Sequence, residues 1–481
     1  MHTSSRGNDV MLRLHNTASG RKEEFSPLEP GVVRLYTCGP TVWNTPHIGN
    51  YRTFLFFDLL RRHLALRGYQ LRHVMNITDV DDRIIEQAHA AEVGIDAYTQ
   101  PYRKAFFDDL DALRAQRAEY YPRATDHVPE MVRLITRLMD RGYAYEAEDG
   151  VYFRVANFPA YGRLSHLDRG GLRLGARVAA DRYEKESATD FALWKRAQPI
   201  DEQVGAAWDA PFGRGRPGWH IECSAMAMAY LGETLDIHAG GIDLLFPHHE
   251  NEVAQSEAAT GEPFVRFWLH SEHVSDSTGE KMSKSVGNIV TLRDLTDAGY
   301  GPLAVRFFLI GNAHYRSKLR LTETALHAAA EQVRRLQDLA ERLRRLEPGL
   351  RSDDAALYED ALDARDAYLE ALDDDLNLPA GLGHVFEVVR KANAALDAGV
   401  VGPASREALL HLLETVDAHL DVLRREDVEL DDELRSLIAE REQARQARDF
   451  SRADRIRDQL RNRGVLLEDT RQGVRWRRVE R

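Results

Sequence analysis

The sequence contains very little cysteine: Cys38 and Cys223 are the two thiols among its 481 residues. So few cysteines exclude a disulfide scaffold and suit a reducing compartment. Long apolar runs are also missing, because the stretch 54–60 is far shorter than the ~20 residues that a membrane span needs, and residues 1–10 are polar, unlike a secretory leader. We therefore predict a cytoplasmic protein with no membrane partner.

The sequence as a whole is also poor in positive charge. Its 64 Lys and Arg residues are outnumbered by 77 Asp and Glu, which gives a net charge of −13, and polyanions repel acidic proteins. The charge is uneven, however, because residues 441–481 contain thirteen Arg, no Lys and seven acidic residues, a net charge of +6. An RNA partner is therefore compatible with the sequence if it binds the C-terminal end.

This C-terminal end has the pattern of a small basic module. One apolar face of a predicted helix consists of Phe450, Ala453, Ile456 and Leu460. Gly464 ends that helix, and the segments 465–467 and 474–476 predict a hairpin that turns near Gly473. Arginine beside tryptophan is typical of sites for unpaired bases and phosphates, although a solvated, salt-bridged helix face has a similar pattern.

Near the N-terminus, a strand–helix–strand unit surrounds the tetrapeptide HIGN at residues 47–50. The segment 32–38 is short, β-branched and aromatic and predicts a buried strand. Apolar residues then recur at intervals of three and four from about 47 to 67, which predicts an amphipathic helix that ends at Gly68. A second strand is predicted at 70–77. Such a unit is typical of a nucleotide-binding parallel sheet, with the ligand at the carboxyl ends of the strands.

His47 and Asn50 lie where the predicted helix begins. The exposed amides and the dipole of a helix start favour phosphate, so both side chains are candidates for binding a nucleotide. The plainer alternative is a pair of capping side chains in an ordinary strand–helix–strand unit.

A second motif, KMSKS at residues 281–285, follows the polar, turn-forming run 275–280, which predicts a mobile loop. Together with HIGN it resembles the two ATP-handling signatures of class I aminoacyl-tRNA synthetases. Lys281 and Lys284 can close on a triphosphate. Attack of a carboxylate on the α-phosphorus makes a more negative transition state, so a cation that arrives with closure stabilises it more than the ground state.

Both cysteines are candidate metal ligands. Cys38 ends the first predicted strand, and Cys223 ends the string GWHIEC. Further on, His248 and Glu252 are four residues apart and so share one face of a helix predicted to start after Pro247. Two thiolates, one imidazole and one carboxylate match a tetrahedral zinc set.

The spacing does not decide among the neighbours of these ligands. His249 and Glu250 are also candidates from the residues alone. A zinc-protease helix is excluded, because His249 and Glu250 would need a histidine at position 253, which is Val253.

Taken together, these residues resemble the cysteinyl-tRNA synthetase family closely. The resemblance continues to the C-terminus, and matching strings lie at 38–50, 76–82, 190–195, 215–223, 246–252 and 281–285. Asn50 departs from the histidine of the general class I signature.

The resemblance implies a set of functional residues. The implied zinc ligands are Cys38, Cys223, His248 and Glu252. The implied cysteine-binding residues are Cys38, Thr78, Trp219, His220 and Asp243. The implied ATP-binding residues are Pro40, Thr41, His47, Gly49, Asn50, Lys281, Ser283 and Lys284, of which the catalytic ones are His47, Asn50, Lys281 and Lys284. The basic C-terminal module, rather than the resemblance, supplies the candidate tRNA-binding residues, which are Arg452, Arg455, Arg463, Arg475 and Trp476.

The family implies an enzyme that activates L-cysteine with ATP and Mg²⁺ and transfers it to tRNA(Cys), acting as a monomer. A hydrophobic pocket separates ligands that differ by a methylene-sized group by only about 1–3 kcal/mol, which is too little to exclude serine. Zinc prefers a thiolate to a hydroxyl and would supply the missing discrimination. Two alternatives remain open, a ligase that joins cysteine to an amino sugar and a catalytically silent RNA-binding paralogue.

We expect an α/β protein whose Rossmann-like catalytic domain carries an inserted connective domain, followed by a helical bundle and a small basic helix–hairpin module. The expected boundaries are 1–134 and 215–270 for the two catalytic halves, 135–214 for the insertion, 271–320 for the KMSKS and stem-contact region, 321–425 for the helical, tRNA-binding bundle, and 426–481 for a basic anticodon-binding module.

Overall fold

The computed structural model describes residues 11–167, 190–280, 282, 289–346, 354–424, 432–462, 465–470 and 473–478. The first elements of the chain are β1 (Arg13–Asn16), β2 (Arg21–Glu24), β3 (Val32–Thr37), α1 (Ile48–Leu66), β4 (Gln70–Met75), α2 (Asp82–Ala90), α3 (Ile95–Ala112) and α4 (Val128–Asp140). The predicted strand–helix–strand unit is thus present as β3, α1 and β4, and Gly68 has the left-handed φ of 87° that ends α1.

An inserted antiparallel sheet follows. Its elements are β5 (Ala144–Ala147), β6 (Gly150–Phe153), β7 (Phe191–Arg196), the short helix α5 (Pro199–Gln203) and β8 (Gly215–Pro217). The strand order is β5-β6-β7-β8, so the sheet includes one strand beyond residue 214.

The chain then returns to the first sheet. The elements of this part are α6 (Trp219–Leu231), β9 (Leu235–Gly241), α7 (Glu250–Thr260), β10 (Val265–Ser271), β11 (Val274–Ser275), α8 (Leu292–Asp297), α9 (Pro302–Gly311) and β12 (Leu319–Arg320). Strands β10, β9, β3 and β4 form one parallel sheet in that order. The predicted Rossmann-like parallel sheet is confirmed.

The two faces of this sheet bury different clusters, because successive side chains of a strand point to opposite sides. Leu35 of β3 belongs to the same apolar cluster as Phe57 of α1. Tyr36 and Cys38 belong to a second cluster with Ile221 of α6. The polar centre described below lies on the α6 side, where β3, β4 and β9 end.

A helical domain forms most of the C-terminal part. Its helices are α10 (Glu323–Arg345), α11 (Ala355–Asp373), α12 (Leu378–Ala398) and α13 (Pro403–Leu420). Their apolar faces continue the cluster that contains α1. A helical bundle was predicted for 321–425, and these four helices lie within that range.

Asp373, Asp374 and Asp375, which we call the aspartate triplet, attach this helical domain to the first part of the chain. The partners are His63 and Arg67 for Asp373, Lys22 for Asp374, and Tyr315 and Arg316 for Asp375. Asp373 and Asp375 are buried, so their carboxylates are shielded from solvent, whereas the pair of Lys22 with Asp374 is partly exposed. Three consecutive carboxylates therefore contact three separate segments of the chain.

The last elements are α14 (Asp432–Gln446), α15 (Phe450–Asn462) and the hairpin β13 (Val465–Thr470) and β14 (Gly473–Arg478). Leu434 of α14 packs with Ile456 and Leu460 of α15. Phe450 was predicted to share this apolar face, but it is the first residue of α15, 60% of it is exposed, and it is not part of this cluster. Within the described parts of the chain, no helix combines the length and the apolar character needed to cross a membrane.

Candidate active site

Residues of the HIGN motif surround the start of α1. His47 is the N-cap residue, and its backbone N–H donates to Oδ1 of Asn50 at 3.0 Å. A Cβ added at Gly49 would lie 2.8 Å from Cε1 of His47, so glycine is required for the imidazole to lie beside this turn. Asn50 therefore makes the predicted capping contact.

The loop before α1 is fixed to the end of β4. The N–H of Thr78 donates to the carbonyl of Pro40 at 3.0 Å, and the N–H of Val42 donates to the carbonyl of Thr78 at 3.0 Å. Thr41 and Thr78 form a parallel bridge between these two hydrogen bonds. The structure thus brings Pro40 and Thr41 to the same end of the sheet as His47.

The segments that flank the KMSKS loop are also close to α1. Lys281, Ser283 and Lys284 lie outside the described residues. Met282 is buried and donates its N–H to the carbonyl of Val274 at 3.2 Å. On the far side of the loop, the carbonyl of Val290 accepts from the N–H of Ile48 at 2.9 Å, one residue after His47.

A buried group of metal-ligand side chains lies at the carboxyl end of β3. The sulphurs of Cys38 and Cys223 are 4.0 Å apart, and Oε1 of Glu252 is 4.0 Å from Cys38 Sγ. Nε2 of His248 is 3.0 Å from the same Glu252 oxygen. Two sulphurs bound to one tetrahedral zinc are about 3.8 Å apart, given Zn–S bonds of about 2.3 Å. The four predicted ligands therefore have the separations that a metal site requires.

A second group shares two of these residues. It consists of Cys38, His238, His249 and Glu252. Nε2 of His249 is 3.4 Å from Cys38 Sγ, and its Nδ1 is 2.7 Å from Nε2 of His270. A Cβ at Gly240 would lie 2.5 Å from the His249 ring, so the missing side chain is what lets that ring lie over β9.

The two cysteines differ in acidity. A hydrogen bond with Cys38 lowers the pKa of Cys223 to about 6, although burial acts in the opposite direction. Burial raises the pKa of Cys38 well above its ordinary value, and the neighbouring Cys223 raises it further. The hydrogen bond between the two sulphurs therefore favours ionisation of one thiol of the pair over ionisation of both.

His248 and Glu252 stabilise each other's charged form. Burial lowers the pKa of His248, but Glu252 and Cys223 outweigh it and raise that pKa to about 10. Burial raises the pKa of Glu252, but His238 and His248 outweigh it and lower that pKa to about 2. The buried cluster thus holds two anionic groups and one cationic group, and its excess negative charge is what a bound metal cation would compensate.

Three of the predicted cysteine-binding residues border this cluster. The Trp219 ring stacks on His248 at a centroid distance of 4.3 Å, and 39% of Trp219 is exposed. Nδ1 of His220 is 3.0 Å from Nδ1 of His248. Thr78 donates to Oε2 of Glu222 at 3.2 Å. Burial raises the pKa of Glu222 well above its usual range.

Asp243 follows β9, where a Cβ at Gly241 would lie 2.6 Å from its Oδ1. Its carboxylate is close enough to Cys38 to add to the raised pKa of that thiol, after burial, Cys223 and Glu252. All five predicted cysteine-binding residues are therefore near one another.

Sequence reasoning missed several residues of this cluster. They are Tyr36, Glu222, His238, Gln255 and His270. A signal was available for two of them, because a histidine within an apolar, buried parallel strand needs a polar partner. Both His238 in β9 and His270 in β10 meet that description.

The predicted tRNA-binding residues lie far along the chain, in the last module. Arg452 and Arg455 are exposed on α15, and Arg452 pairs with Glu440 of α14. Arg475 and Trp476 are part of β14, whose backbone pairs with β13. Arg463 lies outside the described residues.

Family models match three successive parts of the chain. A model of the tRNA synthetases class I (C) catalytic domain matches residues 24–331. A DALR domain model matches 367–423, and a model of the cysteinyl-tRNA ligase anticodon binding domain matches 427–477.

Individual proteins are similar over nearly the whole length. A cysteine–tRNA ligase from Solibacter usitatus is 49% identical over 472 residues, which cover 98% of this chain and 100% of that relative. One from Leptospira interrogans is 46% identical over 474 residues, with 98% and 100% covered.

Solved structures of other synthetases have the same fold. Methionyl-tRNA synthetase from Mycobacterium tuberculosis, bound by methionyl-adenylate, has a TM-score of 0.60 at 17% identity, covering 81% of this chain and 90% of that one. A ternary complex of LeuRS from Agrobacterium radiobacter with tRNA and LeuAMS has a TM-score of 0.60 at 12% identity, covering 83% and 85%.

Proposed function

The chain belongs to the cysteine–tRNA ligase family of class I aminoacyl-tRNA synthetases, and from that premise we propose a two-step reaction that depends on zinc. In the first step L-cysteine and ATP give cysteinyl-adenylate and pyrophosphate. In the second, the cysteinyl group passes to the 3′-terminal adenosine of tRNA(Cys). The observation that carries the proposal is the pair of sulphurs 4.0 Å apart. They belong to a buried donor set at the carboxyl end of β3, the end from which the chain leads to His47 at the start of α1.

We infer that Cys38, Cys223, His248 and Glu252 hold the zinc. This set offers two sulphurs, one nitrogen and one carboxylate oxygen, all of them buried. The alternative set with His249 offers one sulphur, and soft thiolate ligands favour zinc over harder metals. The chemistry of the donors therefore favours His248 over His249.

Selection of cysteine over serine would follow from this site. When bound, zinc supplies a further coordination position that a thiolate fills readily and a hydroxyl poorly. Trp219 and Thr78 would line the amino-acid pocket, with one ring face of Trp219 already stacked on His248. The carboxylate of Asp243 would neutralise the α-amino group of the substrate.

ATP would bind where the two signature motifs meet. The exposed amides at the start of α1 and the imidazole of His47 suit the phosphates, and Asn50 fixes this turn. The contacts of Val290 with Ile48 and of Met282 with Val274 support a position of Lys281 and Lys284 near the triphosphate. Mg²⁺ would accompany the ATP, with Ser283 as a further polar contact.

The C-terminal region would hold the tRNA. Arg452, Arg455, Arg463, Arg475 and Trp476 belong to the module that matches the anticodon-binding model. A ligase acting on an amino sugar would not need this module, so the presence of the module argues against that alternative. His47, Lys281 and Lys284 are all present in the sequence, which argues against a silent paralogue.

The proposal is tested by pyrophosphate exchange with purified protein, ATP and Mg²⁺, with cysteine or serine, in the presence and absence of tRNA. We expect exchange with cysteine in the absence of tRNA and almost none with serine. Exchange that requires tRNA, or that serine supports equally well, would contradict the proposed order of steps or the proposed basis of selection.

A further inference from the structure

Asn76 is a buried polar residue that has no role in the reaction described above. It directly follows β4 and precedes Thr78 by two residues. Its Oδ1 accepts from the backbone N–H of Gly39 at 3.0 Å, and its Nδ2 donates to Oγ1 of Thr78 at 3.1 Å. Because the N–H of Gly39 can only donate, it fixes which end of the amide is the oxygen. The NH2 group of Asn76 is therefore directed at Thr78.

The surroundings of Asn76 are closely packed. A Cβ at Gly39 would lie 1.8 Å from the backbone oxygen of Asn76, so the ends of β3 and β4 meet here without an intervening side chain. Two backbone hydrogen bonds with the loop before α1 hold the main chain of Thr78. Its side chain is held separately, by Asn76 and Glu222. The hydroxyl of Thr78 is thus fixed before a substrate binds.

The hydrogen bonds of the Thr78 hydroxyl leave one of its lone pairs unused. A hydroxyl has one proton and two acceptor lone pairs. The proton is donated to Oε2 of Glu222 at 3.2 Å, and Nδ2 of Asn76 occupies one lone pair. Within the described parts of the chain this oxygen has no third partner, so the remaining lone pair can only accept. Glu222 directly precedes Cys223, so the hydroxyl is next to the segment that supplies a proposed metal ligand.

We propose that Asn76 is a positioning residue, which holds the Thr78 hydroxyl so that its remaining lone pair accepts a hydrogen bond from the α-ammonium group of the substrate. When cysteine binds with its thiol as a thiolate and its carboxyl group ionised, the ammonium is the one donor that it offers to such an acceptor. The inference rests on the proposed function, with Thr78 in the amino-acid pocket. It adds recognition of the amino group by an oriented hydroxyl to its neutralisation by Asp243.

A ligand without the amino group tests this proposal. 3-Mercaptopropionate is cysteine without its α-amino group, and it separates recognition of that group from binding of the thiol. The affinities of both ligands are measured by titration calorimetry of zinc-loaded protein in the absence of ATP, and we expect wild-type protein to prefer cysteine. Asn76→Ala should weaken cysteine binding roughly tenfold, the order of one hydrogen bond to a charged group. It should leave the affinity for 3-mercaptopropionate and the zinc content unchanged.

A double-mutant cycle shows whether Asn76 acts through Thr78. Thr78→Val removes the hydroxyl and keeps the branched shape of the side chain, and by itself it should reduce the preference for cysteine over 3-mercaptopropionate. Because the proposed effect of Asn76 needs that hydroxyl, Asn76→Ala should cause no further reduction in the Thr78→Val background. Additive effects of the two changes would show that Asn76 does not act through Thr78 and would overturn the inference.

Asn16→Ala is the matched control. Asn16 is a buried amide of β1, whose Nδ2 donates to the carbonyl of Arg266 at 2.8 Å and whose Oδ1 accepts from the N–H of Trp268 at 3.1 Å. Both partners belong to β10, which is at the opposite edge of the parallel sheet from β4. This variant should lower the thermal unfolding midpoint and leave the preference for cysteine over 3-mercaptopropionate unchanged.

Other results would also overturn the inference. Equal losses of affinity for the two ligands in Asn76→Ala, or loss of zinc, would mean that Asn76 only supports the fold of the pocket. Unchanged affinity for both ligands would mean that the Thr78 hydroxyl needs no such support, and wild-type protein that binds both equally well would not recognise the amino group at all. Wild-type protein that neither binds zinc nor activates cysteine would instead refute the proposed function itself.

Discussion

Two adjacent histidines, His248 and His249, have opposite electrostatic environments. Glu252 and Cys223 raise the pKa of His248, whereas burial and then His238 and His270 lower the pKa of His249. His248 must therefore lose a proton to bind zinc, while His249 is already neutral. Ease of deprotonation favours His249, and the two-sulphur donor set favours His248, so a measurement has to decide between them.

The zinc content of purified variants decides between His248 and His249. Purified protein should contain about one zinc per chain, and Cys223→Ser should contain almost none while remaining folded. We expect His248→Ala to lose zinc and His249→Ala to keep most of it, as measured by atomic absorption with circular dichroism as the check on folding. The opposite order would assign the ligand to His249, and stoichiometric zinc in a variant lacking both cysteines would refute the site.

Lys284 is proposed to act in the chemical step. Lys284→Ala should raise the adenylation barrier by about 2–4 kcal/mol, the usual effect of removing one charge-stabilising donor, and should change cysteine affinity little, since the proposed zinc site consists of other residues. Single-turnover adenylate formation and cysteine titration measure the two quantities. A normal rate would remove Lys284 from the proposed mechanism.

At the scale of secondary structure, the HIGN helix is joined to the helical domain by a chain of buried polar groups. His63 of α1 contacts Asp373 of α11 at 3.0 Å and His419 of α13 at 3.1 Å, and His419 contacts the hydroxyl of Tyr368 at 3.1 Å. Burial is the main reason that the pKa of His419 falls to about 3, and it also lowers that of His63. Both histidines are therefore neutral in the folded protein.

This arrangement predicts a loss of stability in acid. In the unfolded chain these histidines take up protons below about pH 6.5, whereas folded His419 stays neutral until about pH 3. The free energy of unfolding should thus fall between these pH values, by up to about 1.4 kcal/mol per pH unit for each such histidine. Denaturant unfolding of His419→Gln should show a shallower pH dependence than wild type. Exposed His89→Gln, the control, should retain the wild-type slope.

The elements that sequence reasoning predicted best have strong local patterns. Helix α1 was predicted to within one residue at each end, because its apolar residues recur regularly and Gly68 stops it. Phe450 was misplaced because its exposure depends on where α14 lies, which no local pattern encodes. The partners of the aspartate triplet could not be predicted either, since they are distant in sequence and are set by the tertiary fold.

The same limit applies to the metal cluster. Its candidate ligands, which are thiols, imidazoles and a carboxylate, were recognisable from chemistry and spacing. The choice between two adjacent histidines was not, since both lie close to Cys38 or Glu252 in the folded chain.

For the whole molecule, charge is separated along the chain, with the basic excess at the C-terminus. Leu434, Ile456 and Leu460 give the last module an apolar cluster of its own. Ending the chain at Arg424 should therefore remove this module cleanly and leave cysteine-dependent pyrophosphate exchange nearly intact.

Aminoacylation of tRNA, in contrast, should be lost in the same truncated protein. Loss of several phosphate and base contacts should weaken tRNA binding by orders of magnitude at moderate salt and flatten its salt dependence, because fewer counterions are released. Filter binding at several salt concentrations measures both. If the truncated protein aminoacylates tRNA with unchanged efficiency, and its tRNA affinity depends on salt as in the full chain, then the helical domain holds the tRNA and the basic module is a solvated surface.

The aspartate triplet has a consequence for the way this molecule opens. Its three carboxylates contact residues of α1, of β2 and of the segment after α9, so separating the end of α11 from the first part of the chain breaks contacts with all three at once. The helical domain should then have no separate opening step, and its slowest amides should exchange with deuterium at the same rate as those of the parallel sheet. Two regions that are distinct by sequence would thus unfold as one cooperative unit.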